Sequence, residues 1–216
     1  MELGLNENRE LRTPAGVVVP KTSGVGIKID TDTPTYAWVD LLGAITYEDS
    51  TGPTRPNFDT YRGGLKQFRF SVNDQAWIEY HIPHDYSPGS DLFVHTHWSH
   101  TATDVASGGV TWGFEATYAK GHNQAAFHAP ITTTVTQAAS TVQYQHMIAE
   151  TQLSAPSGAG GLLDSANLEP DGVILLRVYL SANNISVAED PFLHFCDLHM
   201  QTTNVGTKQR APDFYT

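Results

Sequence analysis

The amino-acid sequence predicts an all-β protein, a two-sheet antiparallel β-sandwich of jelly-roll type with an extended N-terminal arm. Three observations carry this. Apolar and polar residues alternate with period 2 from about residue 66 almost to the C-terminus, the spacing of strands that bury one face. Turn-forming clusters separate the runs, among them Asn73-Asp74, Pro88-Gly89, Ser107-Gly108-Gly109, residues 157–161 and Asn183-Asn184. Helical spacing is nearly absent, and residues 164–170 alone read as a helical turn.

Residues 1–35 are poor in large apolar side chains and are punctuated by Pro14, Gly16, Pro20, Gly24, Gly26 and Pro34. Such a composition cannot fill a core alone. It reads as an extended arm that lies on a neighbouring subunit, with a floppy terminus as the plainer alternative. Residues 36–64 form a connecting and anchoring segment. It holds an apolar stretch from Tyr36 through Trp38, Leu41 and Leu42 to Ile45, then a loop rich in proline and glycine.

Residues 65–216 form the sandwich domain, with eight predicted strands at 66–72, 76–82, 91–99, 109–118, 127–136, 143–153, 172–181 and 192–201. In the first, Phe68 and Phe70 share a face; in the second, Ile78, Tyr80 and Ile82 do. In the third, Leu92, Val94, Thr96 and Trp98 oppose Phe93, His95 and His97. The fourth alternates most cleanly, with Val110, Trp112, Phe114, Ala116 and Tyr118 on one side. Sheets built this way face each other across a shared core, to which Tyr80, Trp98, Trp112, Phe114, Tyr118, Phe192 and Phe195 contribute. Eight strands in one domain favour a jelly roll over a closed up-and-down barrel.

The chain has 216 residues, 12 Lys+Arg against 23 Asp+Glu, and a formal net charge of −11. A nucleic-acid binder carries a basic footprint for phosphates, and this balance argues against one. Only 16% of residues are charged, under the roughly 25% of an ordinary domain, so Thr, Ser, Asn, Gln and His supply the polar surface. The length suits one all-β unit that needs no staples. No apolar run approaches the roughly 18 residues of a spanning helix, and the first residues do not read as a secretory signal. The expectation is a chain made in the cytoplasm without a membrane partner. Cys196 lies in an apolar run and reads as a buried, inert thiol; as the single cysteine it excludes an intrachain disulfide.

Ten histidines are many for this length. His95 and His97 are two apart on one strand and project from one face, as ligands do in a β-sandwich metal site of the cupin kind. Such a site adds a carboxylate nearby and a third histidine elsewhere. The first acidic residue after His97 is Asp104, in a loop, and His194 and His199, five apart, point to opposite faces of a regular strand. The sequence therefore predicts no metal or cofactor, with the histidines packed or hydrogen-bonded between strands; a cupin-like metal enzyme is the minor alternative. No Gly-x-Ser-x-Gly elbow occurs, and Gly158-Ala159-Gly160-Gly161 lacks the Lys-Ser/Thr of a phosphate loop. Glu79 and Glu115 lie mid-strand, where a solvated sheet face explains them. No catalytic residue is assigned, and the chain is read as non-enzymatic.

The string HIPHDYSPGSDLFVHTHW at residues 81–98, the later VTWGFE at 110–115 and the ending TKQRAPDFY at 207–215 form a pattern with WVDLLG at 38–43 and YRGG at 61–64. Together they resemble a family of tailed-bacteriophage virion structural proteins over roughly residues 36–216. The resemblance implies a particle protein. Among jelly-roll phage proteins, some are capsid decoration or cement proteins and others tail fibres or spikes; a homotrimer on a local threefold axis is the implied assembly of the former. An acidic, hydroxyl-rich surface and an extended arm suit a cement protein, which gains affinity through backbone pairing and avidity. The expected partners are the major capsid protein and further copies of the chain. The expected place is the outer capsid surface of the virion, with Tyr36, Trp38, Leu41 and Leu42 as anchoring residues. The alternative is a receptor-binding tail protein that stacks on carbohydrate with Trp77, Tyr61, Tyr144 and the Asn183-Asn184 loop.

Overall fold

The computed structural model describes residues 37–47, 54–203, 207 and 210–214; the predicted arm, residues 1–35, and Tyr36 lie outside them. The strands are β1 (Ala37–Leu42), β2 (Ala44–Thr46), β3 (Asn57–Arg62), β4 (Leu65–Arg69), β5 (Gln75–His81), β6 (Phe93–Ser99) and β7 (Gly109–Ala119). They continue with β8 (Ile131–Ala138), β9 (Met147–Gln152), β10 (Ser154–Ala155), β11 (Leu163–Asp164), β12 (Val173–Asn183) and β13 (Phe192–Thr202). Among the described residues, helix is limited to two 3-10 turns, Pro156–Gly161 and Ser165–Asn167. The second falls where the sequence reads a helical turn. No helix there is long and apolar enough to cross a membrane.

Two antiparallel sheets make the sandwich. The first runs β3-β4-β13-β6-β9, with β1 also along β13, and the second runs β2-β5-β12-β7-β8. The eight predicted strands correspond one to one to β4 through β9, β12 and β13. Their pairing is nested: β4 with β13, β5 with β12, β6 with β9, and β7 with β8. The chain is thus a long hairpin rolled onto itself, crossing between sheets at each step except the β7–β8 hairpin, which is the jelly-roll arrangement of two interlocked Greek keys.

The segment predicted as a connection contributes to both sheets. β1 pairs with β13 from Ala37↔Thr202 to Leu42↔Asp197, and β2 pairs with β5, so the chain passes from one sheet to the other at Gly43. A Cβ there would lie 2.4 Å from the Ile78 side chain and 2.6 Å from that of Tyr80. Glycine is what allows the crossing.

Tyr80, Trp98, Trp112, Phe114 and Tyr118 fill the space between the sheets as predicted. Phe192 is buried as well, with Tyr61 against it at 5.3 Å between ring centroids. Phe195 departs from the prediction and is 39% exposed. The cause is a β-bulge. Leu193 pairs with Trp98 but Phe195 pairs with His97, so His194 is an extra residue and the alternation inverts beyond it.

Candidate functional site

The outer face of the first sheet collects most of the unusual side chains. On β6, Val94, Thr96 and Trp98 turn to the core, leaving Phe93, His95, His97 and Ser99 on the outer side. The bulge in β13 places both His194 and His199 on that side, where the regular strand assumed from sequence separates them. His194 Nε2 lies 2.8 Å from Ser99 Oγ, while the His199 ring meets His95 at 4.7 Å. Register then sets three rows across the sheet: Glu150–His95–Asp197–Leu42, Ile148–His97–Phe195, and Gln152–Phe93–His199–Asp40.

Within these rows the polar atoms converge. His95 Nε2 donates to Glu150 Oε2 at 2.5 Å, and its Nδ1 is 3.9 Å from Asp197 Oδ1. His97 Nε2 lies 3.1 Å from the same Oδ1, and its Nδ1 is hydrogen-bonded to His146 Nε2 at 2.8 Å. His199 lies 3.7 Å from Glu150 and 4.0 Å from Asp40. Asp197 is 1% exposed and His95 and His97 are each 7% exposed. Aromatic rings cover the flanks: Phe195 stacks on His97 at 3.9 Å, and Trp38 leans on Phe93 at 5.7 Å and His199 at 4.8 Å.

Beside this centre, burial, then the neighbouring His146 and His97, pushes the His194 imidazole down to about 4. It is neutral at pH 7. Its approach to Ser99 is not a nucleophile pair: Ser99 is fully buried, and no carboxylate among the described residues orients His194.

A second group of histidines gathers around Asp171. His84 and His81 lie 3.1 and 3.3 Å from its Oδ1, and His122 lies 2.7 Å from its Oδ2. The hydrogen bond from His122, with the charges of His84 and His81 nearby, holds the Asp171 carboxyl below the usual carboxylate range despite some desolvation. Histidines read from the sequence as packed or hydrogen-bonded between strands therefore fall largely into two clusters.

The anchoring residues divide. Trp38 is 45% and Leu42 69% exposed on the outer face, whereas Leu41 turns inward beside Val39 against the core. Tyr36 lies outside the described residues. Of the predicted carbohydrate-stacking residues, Tyr61 and Tyr144 meet edge to face at 5.4 Å, with Arg62 over Tyr144 at 4.6 Å. Trp77 is on the other sheet, in register with Thr46 and Arg177. The Asn183 amide is occupied within its own loop, donating to Glu189 O at 2.8 Å and Asp190 Oδ1 at 3.1 Å. That loop walls a surface depression of about 550 Å³, lined by Arg69, Ser186, Glu189 and Asp190 among others.

The outer face of the second sheet is different in kind. It presents Thr111, Thr117, Thr132, Thr134 and Thr136, with Thr111 and Thr136 hydroxyls 2.8 Å apart. Glu115 is engaged by Arg177 at 2.8 Å, and Glu79 is exposed.

Sequence reasoning found His95 and His97 but missed Asp197, Glu150, Asp40 and His146 as their neighbours. Cross-strand register joins them, and the isolated Asp197 within the apolar run Phe195 to Leu198 was the available sign.

No family model matches the chain, and no curated protein matches it. Among solved structures, the chain is similar to the Clostridium thermocellum N-terminal endo-1,4-beta-D-xylanase 10B, in its CBM22-1-GH10 modules complexed with xylohexaose. The identity is 13% and the TM-score 0.35, over 80% of this chain and 27% of that one. It thus spans about a quarter of the xylanase chain. It is also similar to TmCBM61 in complex with beta-1,4-galactotriose, at 9% identity and a TM-score of 0.31, over 77% of this chain and 88% of that one.

Proposed function

We propose that this chain is a non-enzymatic structural protein of a tailed-phage virion that decorates and cements the capsid, docking through the outer face of its first sheet. The inequality of the two outer faces carries this reading. Trp38, Leu42, Ile148 and Phe195 stand exposed on the first sheet, while the second presents a threonine ladder and, among its described strand residues, a single exposed large apolar side chain, Leu175. Neighbouring exposed apolar side chains on a folded domain mark an interaction surface. The resemblance over residues 36–216 implies a phage particle protein, for which a capsid shell protein is the proposed partner, and the net charge of −11 suits a protein held outside the DNA compartment.

A receptor-binding tail protein is the second reading, favoured by one local arrangement. Half-exposed Trp38 is supported by Phe93 and His199, whose cross-strand row also holds Asp40 and Gln152. An aromatic plate beside carboxylate and amide groups suits stacking on a sugar ring. Quantitative mass spectrometry of purified particles separates the two. Hundreds of copies per particle support the capsid reading; a few dozen copies overturn it in favour of the tail, and absence from the particle overturns both.

A further inference from the structure

We infer that His95, His97 and Asp197 form a binding site for one divalent transition-metal cation of the zinc type. Each residue offers one donor atom, and the three atoms lie within 4.8 Å of one another. Zinc bonds of about 2.0–2.2 Å in tetrahedral geometry hold donor atoms roughly 3.3 Å apart. His97 Nε2 and Asp197 Oδ1 already stand at 3.1 Å, and a small turn of the His95 ring closes the remaining 3.9 Å. Imidazole nitrogen with one carboxylate oxygen suits zinc, and the set is poor in the oxygen donors that magnesium or calcium takes.

The far side of each ring is committed elsewhere, which fixes what the near side presents. Glu150 only accepts, so Nε2 of His95 carries a hydrogen, and in the neutral ring Nδ1 is the nitrogen left to bind a metal beside Asp197. His97 is held through Nδ1 by His146. A ligating histidine anchored by a hydrogen bond on its other nitrogen is the usual outer support of a metal site.

The second, independent observation is the state of the inner atoms. Asp197 Oδ1 and His97 Nε2 are both buried and neither has a hydrogen-bond partner among the described residues; their 3.1 Å approach lacks the alignment of a hydrogen bond. The ion-pair partners of Asp197 are His95 and His97, with no lysine or arginine among them. A buried carboxylate without hydrogen bonds is costly unless a cation compensates it. A metal bound here satisfies all three groups and ties β6 to β13 beneath Phe195. The site faces outward from the sheet, unlike a cupin-like centre between strands of a barrel, and it stands whether or not the surface above it docks on a capsid.

The test is isothermal titration of the chelator-treated full chain with zinc chloride, paralleled by cobalt(II) absorption spectra. One equivalent should bind, with cobalt giving the visible bands of a low-coordinate site. His97→Gln and Asp197→Asn should lose stoichiometric binding. Glu150→Gln changes a half-exposed residue and does not threaten the fold; it should weaken binding by about 10–100-fold. His84→Gln, in the cluster around Asp171, should bind as wild type. Absence of binding to the wild-type chain overturns the assignment, as does undiminished binding by folded His97→Gln or by Glu150→Gln.

Discussion

Trp98 and Trp112 are both fully buried, yet they should respond differently to the same substitution. The Trp98 indole donates to Gln137 Oε1 at 2.6 Å, whereas Trp112 Nε1 is buried with no partner among the described residues. Replacing either by phenylalanine removes the same ring atoms and leaves a comparable cavity, so that cost is shared. Trp98→Phe also loses a hydrogen bond worth a net of about 0.5–1.5 kcal/mol. Trp112→Phe relieves an unsatisfied donor whose burial costs about 1–3 kcal/mol. The Trp98 variant should therefore be the less stable of the two by about 1.5–4.5 kcal/mol, or roughly 3–18 °C in melting temperature for a domain of this size. Urea unfolding followed by far-UV circular dichroism measures it without relying on the altered tryptophan emission. If Trp112→Phe is as destabilising as Trp98→Phe, the hydrogen-bond argument fails. The contrast bears on the site, because Trp98 sits between His97 and Ser99 and its anchoring fixes which residues of β6 turn outward.

Three further outcomes are expected. Burial pushes the Cys196 thiol up to about 12, so iodoacetamide at pH 8 should leave the native protein unlabelled and modify it fully in urea; rapid native labelling would contradict the buried placement. Asp171 has a depressed folded-state pKa, which contributes stability above the unfolded value near pH 4 and loses it as pH falls through the lower folded value. Asp171→Asn should accordingly melt below wild type at about pH 5–6, with the gap closing as pH falls through the depressed folded value; a gap independent of pH would count against the histidine cluster. Gly108 has φ of 88°, and a Cβ there would lie 1.7 Å from Asn184 O. Gly108→Ala should cost about 2–5 kcal/mol by thermal melting, and an unchanged melting temperature would refute the close approach of the two loops.

The strands were legible because one-sided burial writes a period of two into the sequence, and all eight long runs recur as the nested jelly-roll pairs. β8 begins at Ile131, later than the predicted 127, because Pro130 cannot donate to the ladder. β1 and β2 were hidden by the adjacent pair Leu41-Leu42, which blurs alternation, and by the change of sheet at Gly43. The bulge at His194 left no local sign. One inserted residue turns everything beyond it to the other face, which is why Phe195 was assigned to the core and His194 separated from His199. His95 and His97 were visible as a pair from their spacing. Their carboxylate neighbours were not, because the contact of Asp197 with His95 depends on register between strands about a hundred residues apart, and no short-range pattern records it.

The proposed docking of the outer face of the first sheet on a capsid shell is tested most directly by a cryo-electron microscopy reconstruction of particles decorated with this chain. The prediction is that Trp38, Leu42, Ile148 and Phe195 rest on the capsid shell while the threonine face of β7 and β8 points to solvent. A reconstruction with the threonine face against the shell, or with the Trp38 face open to solvent, would contradict it.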